Sequence, residues 1–197
     1  MIYDNLREYD KALEVLETLE AFGIDVHEKQ LYFKTLSVLN DKHTKEDKKI
    51  RKLQEIGLDN KIVQRKLFEF LKRHNLPLED AMLKDFDFDN IIDLIWETRM
   101  EKFDPKMIET HPLLAEIYTA KGELKLAEGS DHFILNILIK LAQVNDQSAD
   151  ISLDYTCGNC KNTFPLYFYR CPQCQNIGSA IIGTKLTKRA YETDSLV

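Results

Sequence analysis

Cys157-Gly158-Asn159-Cys160 and Cys171-Pro172-Gln173-Cys174, separated by ten residues, hold all four cysteines of this 197-residue chain. Two Cys-x-x-Cys turns on the tips of a short hairpin bring four thiolates to one point, where a tetrahedral ion holds each sulfur about 2.3 Å from its centre. The pattern predicts a zinc ribbon or rubredoxin-like knuckle pair, with Cys157, Cys160, Cys171 and Cys174 as ligands of Zn2+ and with iron as the other candidate. Two disulfides would need an oxidising compartment, yet Met1-Ile2-Tyr3-Asp4-Asn5 shows neither a basic n-region nor an apolar h-region. A thioredoxin-like pair would need a single Cys-x-x-Cys at a strand-to-helix turn of a βαβ unit, and no βαβ pattern surrounds these pairs.

Around the cysteines, Phe164, Leu166, Phe168 and Tyr169 read as short strand segments interrupted by Pro165, which suits an edge position. Ile151, Leu153 and Tyr155 predict a strand before the first pair, and Ile181 and Ile182 one after the second, ending at Gly183. The ribbon is therefore placed at 151–183, with a polar, loose tail at 184–197. A metal domain this small cannot bury enough apolar area to fold alone, so the ion supplies much of its stability and its aromatic residues are expected to dock on another element.

The remaining composition points to helices. Apolar residues make up 44% of the chain, enough for a core, while only 7 glycines and 5 prolines disfavour a turn-rich β-sandwich. A formal net charge of −6 argues against a general nucleic-acid binder. The basic run from Lys42 to Lys52 is diluted by Asp41, Glu46, Asp47 and Glu55, and reads as a solvated helix face. No stretch reaches the roughly 18 apolar residues of a membrane span.

Ala12, Val15, Leu16, Leu19 and Phe22 share one face of a helix from Tyr9 to Phe22 that stops at Gly23. Further helices are predicted from Glu28 to Leu39, from a Thr44 cap to Gly57, from Asn60 to His74, and from Pro77 onward through Ala81, Met82 and Phe86. Their starts recur about every 17 residues, so a helical hairpin recurs about every 34, the tetratricopeptide period. The first helix of the opening repeat is mostly missing, so either the natural protein is longer or an atypical cap begins the array, and the longer protein is expected. Helical repeats are assigned to 1–102. A helical extension is assigned to 103–150 and includes a helix from Thr110-His111-Pro112 to Gly122. A second helix there opens at Ser130-Asp131, and its apolar residues Phe133, Ile134, Leu135, Ile137, Leu138, Ile139 and Leu141 place it between array and ribbon. Asp89 is expected to cap a helix carrying Ile91 to Trp96. The acidic stretch Asp85 to Asn90 fails as an EF-hand, with Asn90 where Gly is needed and Trp96 where Glu is needed.

No catalytic constellation emerges. His27, His43, His74, His111 and His132 are scattered, with no His-Glu-x-x-His pair, nucleophile elbow or phosphate loop. Four cysteines fill a tetrahedron and leave no position for an activated water, so the expected protein is not an enzyme.

Helical hairpins followed by this ribbon resemble the lipopolysaccharide assembly protein B family. The resemblance is carried by Cys157 and Cys160, Leu166-Tyr167 with Tyr169, Cys171-Pro172-Gln173-Cys174, and Ile177-Gly178-Ser179. Lys161 stands where that family usually has Gly, and Ile177 where it has Trp. The family's membrane anchor and several of its repeats are absent from this chain, so membrane attachment is not carried over. The resemblance implies a mainly α, cytoplasmic adaptor at the inner membrane. It would engage a membrane-bound AAA protease and the deacetylase of lipid A synthesis, and so tune lipopolysaccharide production. Two alternatives stand beside it: an Fe(Cys)4 electron carrier, and a nucleic-acid-binding ribbon using Lys161 and Arg170.

Overall fold

The computed structural model describes residues 8–78, 83 and 86–189. Four helices come first among the described residues: α1 (Tyr9–Ala21), α2 (His27–Asn40), α3 (Glu46–Gly57) and α4 (Lys61–Arg73). Gly23 follows α1 at φ 79° and Gly57 ends α3 at φ 133°, backbone values that glycine adopts without a Cβ penalty. Asn60 caps α4, its side chain accepting from the N–H of Ile62 at 2.9 Å. Thr44 does not cap α3 as expected. Its hydroxyl donates to the Asp41 carboxylate, and the N-cap position falls to Lys45, which makes no side-chain cap bond.

The second half is built from shorter pieces. A 3-10 turn at Phe88–Ile91 leads into α5 (Ile92–Trp96), and a second at Met100–Lys102 into α6 (Pro105–Thr110) and α7 (Pro112–Ala120), with α8 at Phe133–Gln143. Asp87, rather than Asp89, caps the first of these turns by accepting from the Asp89 N–H at 3.1 Å. Pro112 breaks what would be one helix into α6 and α7, because it offers no N–H and suits only a first turn. Most of the helix expected from Pro77 lies outside the described residues.

Apolar burial is divided between two helical cores. Ala12, Leu16, Val26 and Phe33 form a small one inside the α1–α2 hairpin. The large one runs from Ile50 and Leu53 on α3 through Val63, Leu67, Phe68 and Leu71 on α4 to Leu114, Ile117 and Tyr118 on α7, and on to Leu135, Leu138 and Ile139 on α8. Phe133, expected inside, is 74% exposed.

Three strands come last among the described residues: β1 (Ala149–Cys157), β2 (Thr163–Phe164) and β3 (Ala180–Lys188), ordered β2-β1-β3 and antiparallel throughout. β2 stops at Pro165, which cannot donate to a ladder. β3 does not end at Gly183. It runs on to Lys188 opposite Ala149, so the polar Thr184, Lys185, Thr187 and Lys188 are held by backbone pairing rather than by burial. The helix α8 packs on α7 and on the outer part of this sheet, where Ile151 joins the large core. No helix among the described residues is long and apolar enough to cross a membrane.

Candidate metal centre

Each cysteine pair sits in the same backbone device. After the first pair, the Lys161 N–H bonds the Cys157 carbonyl at 2.9 Å, and the Cys157 N–H bonds the Asn162 carbonyl at 2.9 Å. After the second, Gln175 and Asn176 repeat this with Cys171 at 3.0 and 2.8 Å. The turns require a left-handed residue, supplied by Lys161 at φ 62° and Gln175 at φ 61°. Each turn aims its N–H groups inward, and the Cys160 N–H donates to the Cys157 sulfur at 3.5 Å.

The hairpin brings all four predicted residues together. Their sulfurs lie within 4.8 Å of one another, and no disulfide joins them. Cys157 Sγ is 3.7 Å from Cys174 Sγ, and Cys160 Sγ is 3.6 Å from Cys171 Sγ. Sulfurs about 2.3 Å from a common tetrahedral centre would stand about 3.8 Å apart, so the donor set fits a metal ion. Among the described residues no other group of three or more histidine, cysteine or acidic side chains is gathered in this way. The histidines lie elsewhere, His74 on Glu46 at 2.6 Å and His132 on Asp89 at 3.0 Å.

A ring of donors surrounds the sulfurs. The Ser179 hydroxyl is 3.2 Å from Cys157 Sγ, and the side-chain amides of Asn159 and Asn162 donate to Cys174 and Cys160, each at 3.4 Å. Burial alone would raise the Cys157 thiol, but hydrogen bonds from Ser179 and from the Cys160 and Asn159 N–H groups outweigh it and bring it down to about 6. The Asn159 amide, the largest influence on Cys174, lowers that thiol as well. Cys171 is pushed up to about 11, chiefly by burial.

The knuckle pair is fastened to α4 through Arg65, Lys66 and Asp93, which sequence reading did not single out. Arg65 forks onto Asp93 of α5, with Nη1 to Oδ1 at 2.8 Å and Nη2 to Oδ2 at 2.6 Å, and both side chains are buried. The Tyr155 hydroxyl of β1 donates to the same carboxylate at 2.8 Å. Between the cysteine pairs, Tyr167 lies with its ring centroid 3.4 Å from the Arg65 guanidinium carbon, and Tyr169 with its centroid 3.6 Å from Lys66 Nζ. These are the aromatic residues expected to dock on another element. The hint lay in α4 itself, where Ile62 and Phe70 add apolar positions beyond the single face of Val63, Leu67, Phe68 and Leu71.

Fold and site together define a helical protein, with a small antiparallel sheet, whose four clustered cysteines can hold a metal ion. No family model, no curated protein and no solved structure matches the chain.

Proposed function

We propose that this chain is a non-enzymatic protein–protein adaptor, with tetratricopeptide-like hairpins as its binding array and structural Zn2+ in the four-cysteine site. The reading is supported above all by the docking of the knuckle pair on α4 through Arg65, Asp93, Tyr155 and Tyr167. A fully ligated ion built into an interface with a helical array acts as a fastener, since no coordination position is left for substrate. By the resemblance, the adaptor works at the cytoplasmic face of the inner membrane and links a lipid A deacetylase to a membrane AAA protease. Affinity purification of the full natural protein from its own cells, with partners identified by mass spectrometry, tests this directly. Recovery of a membrane protease or a lipid A enzyme supports it; recovery of reductases or ribosomal material overturns it.

One observation favours a second reading. Amide donors on Cys160 and Cys174 sulfur are the kind of contact that tunes an iron–thiolate potential, which an Fe(Cys)4 electron carrier would need. Metal analysis and colour separate the two: a colourless zinc protein removes the carrier, and reversible bleaching on reduction supports it.

A further inference from the structure

We propose that the metal site acts as a gate on one face of α4, the face that carries Ile62, Arg65 and Lys66. The inference rests on the metal reading of the cysteine cluster given above.

The contacts that cover this face come from residues close in sequence to a ligand. Tyr155 precedes Cys157 by two residues, and Tyr169 precedes Cys171 by two. Tyr167 lies in the same ten-residue segment, which is pinned at both ends by cysteine pairs. Gly178 follows the second knuckle at φ 71° and passes so close to α4 that a Cβ there would stand 3.0 Å from Ile62 Cδ1. The Ala180 carbonyl accepts from Lys61 Nζ at 3.4 Å. When four sulfurs lose their shared centre, the segment bearing both rings loses both anchors.

Two features make the consequence an opening rather than a collapse. The Arg65–Asp93 fork lies wholly within the helical part, between α4 and α5, so undocking leaves no buried charge without its partner. The other end of the sheet stays fastened, because Ile151 belongs to the large helical core while the cysteine end packs on its own small cluster of Tyr155, Phe168 and Ala180. β1 therefore has a held end and a releasable end. Release uncovers two cations on adjacent positions of α4, together with the Ile62 side chain, a surface that the metal-bound form hides.

The experiment uses the full chain loaded with zinc. Metal is withdrawn with EDTA and its content measured, and the acylation rate of Lys66 by an amine-reactive ester is followed by mass spectrometry, with exposed Lys48 as internal reference. Fluorescence of Trp96, three residues after Asp93 on α5, is recorded in parallel. Metal removal is expected to speed Lys66 acylation about tenfold relative to Lys48 and to shift Trp96 emission, with the far-ultraviolet helical signal retained. Tyr169→Leu, which keeps all four cysteines, is expected to label fast in both states at unchanged metal content. If metal leaves and Lys66 labelling does not change, the gate is overturned and the metal reading survives. If the zinc-loaded preparation binds no metal at all, both are overturned.

Discussion

Lys161 and Gln175 occupy equivalent places in the two knuckles and share one left-handed conformation, φ 62° and 61°, although neither is glycine. Any L-residue pays a steric cost there, and a β-branched one pays most. Lys161→Gly and Gln175→Gly are expected to leave stability equal or higher by up to about 1 kcal/mol, whereas Lys161→Val is expected to lower it by about 1–2 kcal/mol. Urea denaturation of the zinc-loaded chain reads both signs, and a stabilising Val would show that the turn is not fixed as described.

Ser179, the residue before β3, reaches Cys157 Sγ at 3.2 Å. Outer hydrogen bonds to metal ligands orient them and hold the thiolate form. Ser179→Ala is therefore expected to weaken metal retention about 10- to 100-fold in competition with a chromophoric chelator. An unchanged affinity would remove the hydroxyl from the site.

Asp93 answers to both Arg65 and Tyr155 in a buried setting, so the two partners should differ in what their loss costs. Arg65→Ala strands a buried carboxylate and is expected to destabilise by about 3–5 kcal/mol. Tyr155→Phe leaves Asp93 forked by Arg65 and is expected to cost about 1–2 kcal/mol. A double replacement, Arg65→Met with Asp93→Leu, is expected to recover much of the loss; failure to recover would place the cost in packing rather than in the unpaired charge.

Docking should also fail in alkali. Burial pushes the Tyr167 phenol up to about 12 against the opposing pull of Arg65, and burial likewise raises Tyr155 and Tyr169. Because the fold favours the neutral phenols, this contribution is complete below about pH 10, where free tyrosine titrates, and is lost as pH rises through about 12. Tyrosinate absorbance should rise late and together with the loss of α4 contacts, and Tyr167→Phe should remove part of that late rise. A normal, early tyrosinate titration would contradict the burial of these rings.

Helix positions and the cysteine quartet were legible because both are local signals. The stops at Gly23, Gly57 and Gly122 follow from backbone preferences of single residues, and the Cys-x-x-Cys spacing matches what one turn can place around one centre. Thr44 and Asp89 misled because a capping residue type has more than one partner within reach: Asp41 took the Thr44 hydroxyl, and Asp87 took the turn at Phe88.

The amino-acid sequence by itself determined that this chain is rich in helix, where the helices α1 to α4 lie, and which four thiols can meet, since each depends on residues a few positions apart. Only the tertiary structure decided that Arg65, buried on α4, would join Asp93 28 residues later and Tyr155 62 residues beyond that. It also decided that β3 would run to Lys188 along a partner beginning at Ala149. A charged side chain is buried only where distant segments supply its partners, and a polar strand forms only where another backbone lies alongside it. Neither condition is written in the residues around Arg65 or Lys188.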